Sequence, residues 1–374
     1  MPWARARRCS TNQTAGLDGQ PLIFVAINYR LGFVGFATGQ AVIKTGQTNA
    51  GLRDQRAALQ WLQNNIASFG GDPTRVTAIG QSVGASDIGL QMTAFGGAEG
   101  VPFQKAVMMS GAPGLNFNTM SSLVADNTAM IARQVGCVKD GEDEQTEDVV
   151  QCLREAPFDV LTNLSVSAMR AARPPFGEGF FSPTYDGEFI LERPSKLIEK
   201  AGLSRTFLPP LRSSWSYIPE GPVSDFEFMA QGQGVSPHYY RAAQINRDLW
   251  FTCPVLDLAW QYGQHNSHDV RLYEHNETRF TPSYLSMGVP MWKVAHLSDI
   301  PYVLNSQGPG GGADNSASQL SLSAAISKRI VKFVTSEEPD KELSPAFNGT
   351  MEDVTHNSPS SIYLLAGFRR SVWK

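Results

Sequence analysis

Cysteine is scarce in this chain, at four in 374 residues. That excludes the disulfide-dense scaffolds on which small extracellular domains rely. No spacing of Cys or His suggests zinc. Long apolar runs are also missing: nothing reaches the roughly eighteen residues of a transmembrane helix. The start, Met1-Pro2-Trp3-Ala4-Arg5-Ala6-Arg7-Arg8-Cys9, does not continue into the apolar segment of a signal peptide. Neither charge dominates. A net charge of -4 with a pI near 5.9 leaves no basic footprint for a nucleic-acid partner. No internal repeat is found. What remains is a globular composition, 42% hydrophobic and 18% charged, long enough to bury a large core and read as one main domain.

Glycine, by contrast, is plentiful, and one pair carries the first chemical signal. Val76-Thr77-Ala78-Ile79-Gly80-Gln81-Ser82-Val83-Gly84-Ala85 is a short apolar stretch that ends in Gly-x-Ser-x-Gly and leads into a helix-compatible segment. A nucleophile elbow requires this context, because a tight strand-to-helix turn lifts a strained Ser above the sheet edge. Gly80 and Gly84 give the turn room, Ser82 is the candidate nucleophile, and the backbone N–H of Val83 is the oxyanion donor available beside it.

The flanks extend the pattern. Gly51 to Ile66 places Leu59, Leu62 and Ile66 on one helical face, with Leu52, Ala58 and Trp61 beside it, and Gly70-Gly71 ends that helix. Leu22 to Tyr29 and Ala106 to Gly111 read as strands of a sheet buried on both faces. Strand, helix, strand, helix, strand implies parallel strands with helices across them.

Taken together, Asn28-Tyr29-Arg30-Leu31-Gly32, Gly51-Leu52-x-Asp54-Gln55, Phe69-Gly70-Gly71-Asp72-Pro73 and Gly80-x-Ser82-x-Gly84-Ala85 closely resemble the type-B carboxylesterase/lipase family. Cholinesterases, fungal lipases and the adhesion proteins called neuroligins belong to it. The resemblance is strong over 21–115, moderate over 120–200 and 238–335, and weak elsewhere. It implies an α/β-hydrolase fold: a mostly parallel central sheet with helices on both faces, here without its N-terminal strands. It divides the chain into an unplaced tail (1–20), the hydrolase domain (21–335) and an irregular C-terminal region (336–374). Three positions depart from the pattern. Gln81 replaces the usual acid, Val83 a usual Ala, and Asp87 stands where many members have Ser.

A Ser hydroxyl needs a general base near neutrality and a third group to hold that base. Of six His, five (His238, His265, His268, His275 and His356) lie in polar segments and read as surface residues. His296-Leu297-Ser298-Asp299-Ile300-Pro301-Tyr302 resembles the family's catalytic His loop, which makes His296 the expected base. The same resemblance implies an acid, usually Glu followed by Gly, some way after an Asp-Gly marker, here Asp186-Gly187-Glu188-Phe189, and so points to Glu220, with Asp225 as the next choice. The prolines Pro209-Pro210 are unsuited to the buried apolar strand that the resemblance places before the acid.

The resemblance also implies a glycine-rich oxyanion segment ahead of the first strand, and nothing in residues 1–20 matches it. It pairs Cys137 with Cys152 in a disulfide, against the alternative of two free thiols. It points to secretion, to small-molecule or lipid ester substrates, and to no cofactor, and it leaves the oligomeric state open. The expected activity is ester hydrolysis through an acyl-enzyme. The rival reading is a catalytically impaired protein or a non-catalytic binding module.

Overall fold

The computed structural model describes residues 19–113, 118–172, 179–200, 230–232, 234–265, 270–306, 315–336 and 362–367. The early elements follow the order expected from the sequence: helix α1 (Ala50–Asn65), strand β1 (Thr77–Gln81), helix α2 (Val83–Thr93) and strand β2 (Lys105–Met109). Helices α3 (Leu123–Gln134), α4 (Glu147–Glu155), α5 (Phe158–Ala172), α6 (Pro237–Arg247) and α7 (Cys253–His265) come next. Strand β3 (Val270–Glu274), the single turn α8 (Ile300–Val303), helix α9 (Ala317–Thr335) and strand β4 (Ile362–Gly367) complete the main elements.

The sheet runs in the order β1-β2-β4-β3. β1 and β2 pair in parallel, with Gly80 opposite Met108 and Gln81 opposite Met109, whereas β4 is antiparallel to both β2 and β3. The parallel β1–β2 pair is consistent with the expected sheet, to which the described residues add the antiparallel β4, and the region from 336 onward, expected to be irregular, supplies that strand. The cause is Ile362-Tyr363-Leu364-Leu365, an apolar run of strand length whose backbone completes the ladder between β2 and β3. A third expected strand, Leu22–Tyr29, forms no ladder among the described residues. Suitable side chains are not enough for a strand, which also needs a neighbouring backbone to take its N–H and C=O groups.

β2 carries the core on both faces. Side chains alternate along a strand, so Ala106 and Met108 meet Ala85, Ile88 and Met92 of α2 and Val255, Leu258 and Tyr262 of α7. On the other face, Val107 and Met109 meet Val303, Ile330 and Phe333. None of these four β2 residues is more than 4% exposed, and burying each large side chain stabilises by about 1.5–3 kcal/mol. Helices therefore cover both faces, and the C-terminal end of β1 is held where the candidate nucleophile begins. A separate cluster of Leu52, Leu90, Ile131, Leu161 and Phe189 packs α1 and α2 against α3 and α5.

Cys137 and Cys152 form a disulfide, with their Cα atoms 5.6 Å apart, that ties the end of α3 to α4. Between them runs the polar segment Asp140 to Asp148. Closing a loop of this length removes unfolded-state entropy worth roughly 3 kcal/mol. Replacing both cysteines by Ala should therefore lower the urea midpoint by a corresponding amount, and reductant should do the same to the parent chain but nothing to the double variant.

Candidate active site

The turn from β1 into α2 has the geometry its sequence requires. Ser82 sits at φ 57 and ψ -122, a region that L-residues avoid. Its N–H donates to Met109 O at 2.8 Å, extending the β1–β2 ladder by one bond, and its carbonyl accepts from Ala85 N at 3.0 Å and Ser86 N at 3.1 Å. Strand and helix thus grip the strained residue from both sides. A Cβ on Gly80 would lie 2.3 Å from Gly84 O, so Gly80 must be Gly. A Cβ on Gly84 would meet nothing within 4 Å, which corrects the expectation that both motif glycines make room. The second required position is Gly111, where a Cβ would come within 2.3 Å of Ser82 O. Val83 is the first residue of α2, a position whose N–H has no partner inside the helix.

The flanking motifs lock the support beneath this turn. Arg30 and Asp54 form a two-pronged ion pair, Nε to Oδ2 and Nη2 to Oδ1, both at 2.7 Å, and Arg30 N also donates to Oδ2 at 3.0 Å. Gln55 Nε2 donates to Asp87 Oδ2 at 2.6 Å, and Gln91 Nε2 donates to Leu52 O at 2.8 Å. Asp186 of the Asp-Gly marker accepts from Asn49 Nδ2 at 3.0 Å, and Arg53 pairs with Glu188 at 2.8 Å. These contacts hold α1 and its neighbours together rather than touching the nucleophile. Asp87 is 1% exposed with Oδ1 unpartnered, and burial pushes its carboxyl up to about 7.

His296 lies in the turn before α8, where Leu297 adopts φ 79. The structure brings it to the elbow: its Nε2 is 3.3 Å from the side-chain amide nitrogen of Gln81, the residue before Ser82. The imidazole packs on Phe251, with ring centroids 4.6 Å apart. His296 is an exposed residue, and partial desolvation of its ring holds its pKa below the usual His value. Three residues on, Asp299 is 0% exposed. The N–H groups of Asp299 and Ile300 face its carboxylate without reaching hydrogen-bond geometry, and burial raises its pKa to about 6.

Other expected residues stand elsewhere. Glu220 and Asp225 lie outside the described residues, as do Pro209-Pro210. His238 is exposed, but His275, expected at the surface, is only 2% exposed. Its ring lies 4.7 Å from that of Tyr302, and burial lowers its pKa. Phe251 was invisible in the sequence, because no local motif marks an aromatic ring that meets His296 from another segment. Among the described residues, no three His, Cys, Asp or Glu side chains gather to hold a metal ion. No described helix is long and apolar enough to cross a membrane.

Comparison with known proteins adds a family match. The profile described as "Carboxylesterase family" matches residues 10–208. An inactive carboxylesterase-like protein of Byssochlamys spectabilis is 30% identical over 78% of this chain and 57% of that protein. A secreted lipase of Arthroderma benhamiae is 28% identical over 94% of this chain and 66% of its own length. Lipase 1 of Geotrichum candidum is 41% identical over a shorter stretch, 38% of this chain and 26% of that protein. The chain thus spans less than two thirds of the length of these relatives.

Proposed function

This chain belongs to the carboxylesterase family, and we propose that it hydrolyses carboxylic esters through Ser82 and His296. One observation carries the reading: Ser82 is held at φ 57 in a strand-to-helix turn, next to a residue that touches the imidazole of His296. Nε2 of His296 accepts the Ser82 proton as Oγ attacks the ester carbonyl, and Val83 N–H meets the developing oxyanion. The alkoxide leaves with the proton from His296, and water activated by the same nitrogen then releases the acid from Ser82. Glu220 is assigned as the group that orients the imidazole, on the family resemblance alone. The substrates are small-molecule or lipid esters, and the α/β-hydrolase fold is the architecture that the family implies. The Cys137–Cys152 disulfide and the secreted relative support an extracellular location.

A second reading, a protein that keeps the elbow without turnover, is favoured by the relative named as inactive. Covalent capture separates the two. A fluorophosphonate should form a P–O bond to Ser82 Oγ as the P–F bond breaks and fluoride leaves, with the Ser proton passing to His296. Mass spectrometry should then find the phosphonyl group on the peptide containing Ser82. An unlabelled chain under conditions that saturate a known serine esterase would overturn the catalytic reading.

A further inference from the structure

The nitrogen that has to receive the Ser82 proton already has a neighbour. Gln81 is the last residue of β1, and its Nε2 stands 3.3 Å from His296 Nε2. An amide N–H is a donor only. Such a contact is satisfied when Nε2 carries a lone pair, which places the ring proton on Nδ1. That tautomer is the one a serine-activating His needs, with Nδ1–H toward the orienting acid and Nε2 free to accept.

The surroundings act in the same direction. The ring lies tilted against that of Phe251, in the turn Asp248–Thr252, and partial desolvation is the cause of its lowered pKa. Charged groups on the neighbouring elements are engaged elsewhere. Asp248 is paired with Arg247 at 2.7 Å, Lys293 lies over the Tyr240 ring at 4.7 Å, and Asp299 is buried within its own turn. The end of β1 contributes Gln81 and Ser82, both uncharged. Among the described residues, then, no carboxylate near the ring stabilises an imidazolium at Nε2, and the side chain that touches Nε2 is neutral.

We infer that Gln81 is a positioning residue: its amide donates to His296 Nε2, holds the ring as the neutral Nδ1–H tautomer, and yields that nitrogen to Ser82 only when substrate is engaged. The inference deepens the ester-hydrolase reading and rests on it for its purpose. The resting contact keeps the base unprotonated at mildly acidic pH, and it makes the Ser82–His296 hydrogen bond an event of substrate binding rather than a fixture of the free protein. An acid at the same position would do the opposite. A carboxylate within about 4–6 Å favours the imidazolium and raises its pKa by about one to three units.

The test uses the full chain labelled with 15N in histidine, the His296 signals being assigned by their loss in His296→Ala. In the parent chain, Nδ1 should be protonated and Nε2 bare, with a titration midpoint below that of an ordinary His. Gln81→Glu should raise the midpoint by about one unit or more, a tenfold change in the ratio of neutral to protonated ring at fixed pH. Gln81→Met, of similar shape and without a donor, should let the tautomers mix while the midpoint moves much less. A bare Nδ1 in the parent chain, or an unchanged midpoint in Gln81→Glu, would overturn the inference. Neither readout needs turnover. With an aryl ester, the acid limb of kcat/KM should follow the same midpoints, with kcat changing more than KM. If the imidazole responds as stated while hydrolysis is no faster than in Ser82→Ala, the inference about Gln81 stands and the ester-hydrolase reading falls.

Discussion

Ser82→Ala is expected to lower kcat/KM for a short-chain aryl ester by about 10,000-fold or more, the scale at which removing the nucleophile of a serine triad acts. The fold should survive, because the backbone bonds that hold position 82 come from Met109 O, Ala85 N and Ser86 N and do not involve the side chain. Ser82→Gly makes the test sharper. At φ 57 and ψ -122 an L-residue bears strain of about 1–3 kcal/mol, and glycine bears almost none. The Gly variant should therefore be as inactive as the Ala variant yet unfold at a higher urea concentration than the parent chain. Glycine's larger unfolded-state entropy subtracts from that gain, so the net stabilisation should be on the order of 1 kcal/mol. An opposed pair of effects, activity lost and stability gained from one substitution, is the signature of strain kept for chemistry. If Ser82→Gly were less stable than Ser82→Ala, position 82 would not be strained and the elbow argument would fail. If the parent chain hydrolysed the ester no faster than either variant, Ser82 would not be a working nucleophile.

The elbow was legible in the sequence because its demands are local. A turn this tight needs Gly80, and a strand before it and a helix after it announce the context. Even there the motif misassigned one role: steric necessity falls on Gly80 and Gly111, some thirty positions apart, rather than on Gly84. Gly111 enters because β2 runs beside β1 and brings its end against Ser82 O, a relation that exists only once the strands pair. His296 was legible through resemblance, and the structure places it against the neighbour of Ser82. Phe251 was not legible, since stacking between segments leaves no periodic trace. The same holds for β4. Its apolar run fixes strand length, but only the sheet decides that it enters antiparallel between β2 and β3. Leu22–Tyr29 shows the reverse case, strand-like side chains with no described ladder.

Asp87 should make this protein less stable as pH rises toward neutrality, the opposite of the usual acid lability. Its carboxyl is 1% exposed one helical turn beyond the elbow. Gln55 offers the hydrogen bond to one oxygen, and the other has no partner. Burial pushes its pKa from 3.8 to about 7, so the native state binds this proton more tightly than the unfolded chain does. The contribution is complete below about pH 4, where both states are protonated. It is lost progressively as pH rises through about 7, where the folded protein must ionise a buried acid. The span corresponds to roughly 4 kcal/mol. Asp299, raised to about 6 by burial, adds a smaller total loss of the same sign over a narrower range. Asp87→Asn removes the ionisable proton and keeps an oxygen for Gln55. It should match the parent chain in stability near pH 4 and exceed it by several kcal/mol at pH 8, leaving only the slope due to Asp299. Urea unfolding at those two pH values decides the matter. Equal slopes in the two proteins would mean that Asp87 ionises in the native state as easily as in the unfolded one, and a gain in Asp87→Asn that is the same at both pH values would mean that packing, not charge, is what the substitution changes.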